Sequence, residues 1–304
     1  DERACVRGYV INKFRGDVTL FDDAIRIIKD RTGMRCFGVV PHFAPARLLP
    51  AEDAVALDAG AGQQQTAPDR IRIAVPRLPR IANFDDLDPL NAEDGVEVVI
   101  VEAGAVIPVD TDVILIPGSK ATLSDLAALR AEGWDIDILA HHRRGGVVVG
   151  LCGGYQMLGQ TVADPDGVEG AAAAVPGLGL LEVDTVIGAA KTLRPAAGRD
   201  TVFDQAITGY EMHMGETTGA GLVRPWLVLA DGTDGAVSAC GRVMGAYVHG
   251  LFAADDFRAA FLGAVRAGDY AAASHAARVE ETLDALAKHL ETHLDMDGLD
   301  AAFA

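Results

Sequence analysis

No apolar run in this 304-residue chain approaches the roughly 20 uninterrupted residues a membrane-crossing helix needs, although half of its residues are apolar. A soluble protein is expected. Positive charge is scarce: 26 Lys and Arg against 44 Asp and Glu leave a formal net charge of −18. Such a surface repels phosphate backbones and anionic lipid, so neither nucleic acid nor membrane is expected as a partner, and small molecules fit better. Cysteine is sparse. Cys5, Cys36, Cys152 and Cys240 form no C-x-x-C pair and show neither zinc-site nor disulfide-framework spacing. Free thiols and a cytoplasmic location are the expectation. The sequence also has no internal repeat, no signal peptide and no initiating Met, and its first residues lead almost directly into a strand-like run at 4–12. A chain that begins inside a domain is the reading this supports.

What is present reads as α/β. The run at 4–12 is followed by a polar turn, Asn12-Lys13-Phe14-Arg15-Gly16-Asp17, an amphipathic helix at 18–31 closed by Gly33, and a strand at 35–40 ended by Pro41. This is one βαβ unit, too small to bury both faces of its own sheet. The stretch 44–70 holds a short helix candidate at 48–53 and a polar, Gly-rich segment, so a domain boundary is expected near residue 68. Alternation then resumes, with strands at 70–75, 96–102, 113–117 and 147–151 and a helix at 124–130. Residues 163–181 read as a Gly/Ala-rich loop, with short strands at 181–186, 222–229 and 241–248 after it. Helix is expected from 256, where Val279, Leu283, Leu286, Leu290 and Leu294 make one apolar stripe. His289 and His293 are spaced i, i+4 on that helix, with no third metal ligand in view. The expected fold is an open, mostly parallel sheet flanked by helices. Three regions follow: 1–67, 68–266 and a helical tail, 267–304.

The stretch with most chemistry is Gly150-Leu151-Cys152-Gly153-Gly154-Tyr155-Gln156, placed where a strand turns into a helix. Glycines on either side of Cys152 suit a strained elbow that lifts the sulfur into the open. A helix N-terminus there favours thiolate over thiol. A buried structural thiol is the competing reading. A thiolate nucleophile needs a base that also protonates a leaving group, and of eight histidines only His213 and His249 stand out. His249 follows a strand and precedes Gly250, so it is expected at a strand end, where groups of an open α/β sheet converge. An oxyanion hole is expected from the N–H of Gly153 and from the turn Pro117-Gly118-Ser119-Lys120. The loop at 80–90 carries Asp85, Asp86 and Asp88, which suit either capping and solvation or a metal, the former being preferred.

Gly150-x-Cys152-x-Gly154-x-Gln156 resembles the nucleophile motif of class I glutamine amidotransferases. Together with Pro117-Gly118-Ser119-Lys120, Gly209-Tyr-Glu-Met-His-Met-Gly215, Tyr247-Val-His249-Gly-Leu-Phe252 and the stretches 10–17 and 79–90, it makes residues 8–262 similar to the cobyric acid synthase family. The resemblance implies a flavodoxin-like amidotransferase domain with Cys152 as nucleophile, His249 as base, Gly118 and Gly153 as oxyanion donors and Gln156 as a glutamine contact. It implies ATP- and Mg²⁺-dependent amidation of adenosylcobyrinic acid a,c-diamide, with glutamine as nitrogen donor, in cobalamin biosynthesis. A related a,c-diamide or cell-wall amidoligase, or a non-catalytic module that keeps the fold, are the alternatives. Two departures stand out. The position two residues after His249, where the class places an orienting Glu, is Leu251, so what orients the imidazole stays open. No G-x-x-x-x-G-K-[ST] phosphate loop occurs, so residues 1–67 read as the end of a synthetase domain, with Asn12, Lys13 and Asp17 as a nucleotide-binding edge or a capping turn.

Overall fold

A computed structural model describes residues 5–49, 70–268, 270 and 274–303. The boundary expected near residue 68, the polar stretch before it and most of the 48–53 helix candidate lie outside these residues. The chain divides into two compact units, Asp1–Pro50 with Ala276–Ala304, and Ala51–His275.

In the first unit β1 (Gly8–Phe14) and β2 (Arg35–Pro41) pair in parallel across α1 (Asp22–Thr32). The helix ends where the sequence says it should: Gly33 takes a left-handed φ of 70° and its N–H bonds the Lys29 carbonyl. Asp17 accepts hydrogen bonds from the Thr19 amide and hydroxyl, and the Asn12 side chain accepts from the Lys13 amide, so both are spent on local turns. This is the capping-turn arrangement, one of the two readings open for this stretch. The C-terminal helices His275–His293 and Met296–Phe303 close onto this βαβ unit. Leu294 bridges Gly38, Asp295 N–H donates to the Phe37 carbonyl at 2.7 Å, and Arg35 pairs with Asp295. His289 Nε2 lies 3.0 Å from the Pro41 carbonyl, and His293 Nδ1 sits 2.7 Å from the His289 carbonyl, so each ring has a backbone partner.

The second unit opens with β3 (Ile71–Pro76), β4 (Ile81–Ala82), α2 (Asp88–Asn91), β5 (Val96–Val101), β6 (Val113–Ile116) and β7 (Gly118–Ser119). It continues through α3 (Thr122–Ala131), α4 (Trp134–Arg143), β8 (Val147–Leu151) and α5 (Gly153–Leu158). Next come β9 (Thr161–Asp164), β10 (Ala173–Pro176), β11 (Asp184–Asp200) and β12 (Ala206–Thr218). The unit ends with β13 (Leu227–Leu229), β14 (Gly232–Asp234), β15 (Ala236–Val237), β16 (Val243–Ala246), β17 (Val248–His249) and α6 (Asp255–Val265).

Its central sheet has the order β15-β16-β8-β6-β3-β5, parallel throughout except for the β15 edge. Continuous apolar runs such as Val-Ile-Leu-Ile in β6 are what such a sheet needs, because helices cover both faces. Alternate residues feed two cores: Ile73, Val113, Leu115 and Val149 pack with Phe257, Phe261 and Trp226 on one face. Ala74, Ile114, Ile116 and Val148 pack with Leu126, Leu129, Trp134 and Ile138 on the other. The long β11–β12 hairpin forms the middle of a second, mostly antiparallel sheet of order β10-β9-β11-β12-β17 and meets β17 at Tyr210↔His249. Residues 163–181, expected as loop, include the short strand β10 paired with β9.

Candidate active site

Cys152 follows β8 with φ 50° and ψ −109°, a backbone conformation that L-residues adopt only under constraint. The constraint is close packing. A Cβ on Gly150 would sit 2.6 Å from the Gly154 carbonyl oxygen, and one on Gly154 would collide with the Ile116 carbonyl, so both positions admit only glycine. The thiol lies 3.3 Å from the Met212 carbonyl on β12, which fixes its direction.

His249 is fully buried at the end of β17. Its Nδ1 is 2.7 Å from Asp86 Oδ2, while Asp86 Oδ1 accepts the Gly250 amide at 2.6 Å. The acid that the sequence leaves unassigned is therefore Asp86. Nε2 faces Cys152 without a hydrogen bond of full geometry, a loose approach common in thiol–imidazole pairs without substrate. Burial disfavours the imidazolium, but hydrogen bonding to Asp86 and Cys152 and their negative charge outweigh it and raise the His249 pKa to about 10.

A pKa raised from 6.5 to about 10 gives stability that is whole below pH 6.5 and is lost as pH rises through 10. Urea midpoints taken across that window should fall more steeply for the native chain than for His249→Gln. Parallel curves would show that the ion pair adds nothing to stability.

The loop that supplies Asp86 does more. Asn83 Nδ2 donates to the Tyr210 hydroxyl at 2.7 Å, and the Tyr210 ring stacks on His249 with centroids 5.4 Å apart. One turn thus holds both the base and the ring that covers it. Burial, with Asp85 and Asp86 nearby, pushes the Asp88 carboxyl up to about 7. Behind the base, Asp234 Oδ2 accepts the Tyr247 and Val248 amides at 2.8 and 3.0 Å. Asp234→Ala should orphan two buried N–H groups and cost about 2–3 kcal/mol, read from urea unfolding. A loss under about 0.5 kcal/mol would mean that water replaces the carboxylate without penalty.

Gln156 is buried, and its amide is engaged at both ends: Oε1 accepts from Thr122 Oγ1 at 2.8 Å, and Nε2 donates to the Met214 carbonyl at 3.0 Å and Tyr247 Oη at 3.3 Å. Gln156 thus ties the elbow to the β12 wall. Gly118 pairs with Ala82, and a Cβ there would lie 3.3 Å from His249 Cε1. A Cβ on Gly153 would lie 2.9 Å from Ser119 N, so the 117–119 turn and the elbow face each other beside the imidazole. His213, the other histidine singled out, stacks on Tyr247 at 3.8 Å and does not engage Asp86.

A strained cysteine elbow at the carboxyl end of a parallel strand, with a buried His–Asp pair against it, is the arrangement of a thiol-nucleophile site. The model of the CobB/CobQ-like glutamine amidotransferase domain matches residues 72–257, and the chain belongs to that family. Among curated relatives, the cobyric acid synthase of Methylorubrum populi is 56% identical over 98% of this chain and 61% of its own length. That of Bradyrhizobium diazoefficiens is 53% identical over the same shares, 98% and 61%. The chain thus spans about 61% of the length of these relatives. Among solved structures, PurLQS from Thermotoga maritima aligns with a TM-score of 0.47 at 18% identity, over 70% of this chain and 99% of that one. No helix among the described residues is long and apolar enough to cross a membrane.

Proposed function

We propose that this chain is the glutamine-hydrolysing part of a corrinoid amidoligase. It would release ammonia for ATP-dependent amidation of carboxylates b, d, e and g of adenosylcobyrinic acid a,c-diamide. The observation that carries the reading is the Cys152–His249–Asp86 line, set inside a family match that runs from residue 72 to 257. Two relatives named cobyric acid synthase, more than 50% identical over 98% of the chain, supply the substrate class. A cytoplasmic setting fits the four free cysteines.

Cys152 Sγ, its proton passed to His249 Nε2, attacks the γ-carboxamide carbon of glutamine. The oxygen's developing charge is met by N–H groups of Gly153 and of the Gly118 turn. His249 returns the proton to the departing nitrogen, the C–N bond breaks and ammonia leaves. Water, deprotonated by His249, then cleaves the γ-glutamyl thioester. Asp86 keeps the imidazole in the orientation both steps need. Gln156, expected as a direct glutamine contact, has both ends of its amide engaged by Thr122, Met214 and Tyr247, and its role in the reaction is to hold the elbow against β12.

ATP and Mg²⁺ belong to the amidation step. Asn12 and Asp17 are committed to local turns, and the chain holds no Walker-type phosphate loop, so no step above passes through them. Incubating the chain with glutamine, ATP, Mg²⁺ and the a,c-diamide should yield no cobyric acid, and ammonia release should be slow. Formation of cobyric acid by this chain alone would overturn the division of labour.

A further inference from the structure

We propose that a second binding site, for a small organic anion with an apolar body, lies at the amino ends of β8 and β16. A cavity of about 490 Å³ opens there, within the range of small-molecule sites. It is remote from the thiol: β8 starts at its wall with Val147 and reaches Cys152 after five residues, about 17 Å of extended chain.

The walls are of two kinds. Met244 and Phe261 are buried at 2% and 1% exposure, and Phe203, Val265 and Phe261 give the cavity an apolar side. Arg144 and Arg242, both exposed, stand on its other side. The Arg144 guanidinium has no hydrogen-bond partner among the described residues, and Arg242 uses only Nη1, on the Gly145 carbonyl at 2.7 Å. Both stand at the carboxyl end of α4, where a cation is favoured: Arg144 is its cap, and Arg242 reaches it from the turn before β16 through Gly145.

The remaining titratable groups do not compete. Asp112 is held by Arg266 at 3.0 Å through both oxygens and by the Arg72 amide at 2.8 Å. His141 turns Nε2 to the Val147 carbonyl at 3.1 Å, and burial holds its pKa down, so it stays neutral. Two cations with spare donors beside an apolar cavity, in a chain of net charge −18, select a ligand with one anionic end and a hydrophobic remainder.

The test is a fluorescence titration of the full chain with 8-anilino-1-naphthalenesulfonate, with uncharged N-phenyl-1-naphthylamine as the control and octanoate as the competitor. Saturable binding near one probe per chain is expected, displaced by octanoate and weakened at least tenfold in R144Q/R242Q. Ala264→Trp, placed at the cavity rim, should remove it, with far-UV circular dichroism confirming that each variant folds. Both arginines are exposed, so their double variant tests the site even if Ala264→Trp misfolds. Binding that never saturates, or that the arginine variant leaves unchanged, overturns the proposal. Equal binding of the neutral probe also overturns it.

Discussion

Replacing Asp86 with Asn should slow alkylation of Cys152 by 6-diazo-5-oxo-norleucine by roughly 100-fold at neutral pH while leaving the fold intact. The asparagine oxygen still accepts the Gly250 amide that Asp86 Oδ1 holds at 2.6 Å. Its NH₂ then faces His249 Nδ1, where a carboxylate now sits at 2.7 Å. An amide NH₂ at that place cannot accept the Nδ1–H of the imidazolium, so the positive form loses its partner; the ring then stays neutral with its proton on Nε2, where it cannot take the proton of the thiol. The effect should lie in the rate of the chemical step with little change in reagent affinity. A variant within twofold of the native rate would show that Asp86 only fills space.

Cys152→Ser should abolish ammonia release from glutamine, a loss of at least 1000-fold, with stability within about 1 kcal/mol of the native chain. A serine hydroxyl fits the same strained elbow and donates to the Met212 carbonyl that the thiol now approaches at 3.3 Å. It lacks the acidity to pass its proton to His249 and attack at neutral pH. Residual ammonia release above one hundredth of the native rate would place the chemistry at another group.

Much of this site is legible in the amino-acid sequence alone. The Gly-x-Cys-x-Gly elbow can be read because close backbone packing at Gly150 and Gly154 leaves a local mark, and His249 can be read because Gly250 follows it at a strand end. Strands β3, β6 and β8 are visible as apolar runs for the same reason that they are buried on both faces. Asp86 is not legible: it lies 163 residues from its partner, and a carboxylate in an Asp-rich loop looks like a cap. A carboxylate loop at a strand-to-helix junction, in a chain whose histidine lacks a nearby acid, is the one local signal for it. The β11–β12 hairpin escapes a sequence reading because Pro195, Ala196, Ala197 and Gly198 have little strand preference of their own, and cross-strand pairing imposes the extended form. The apolar stripe of the last helix announces that it packs, but its partner, the βαβ unit some 250 residues earlier, leaves no local trace; His289 meets Pro41 across a separation of 248.

The most direct measurement of Cys152 as the nucleophile is peptide mapping by mass spectrometry after brief exposure of the folded chain to 6-diazo-5-oxo-norleucine. One adduct is expected, on the peptide carrying Cys152, with Cys5, Cys36 and Cys240 unmodified and the adduct suppressed by excess glutamine. An unlabelled Cys152, or labelling spread over all of the thiols, would contradict that assignment.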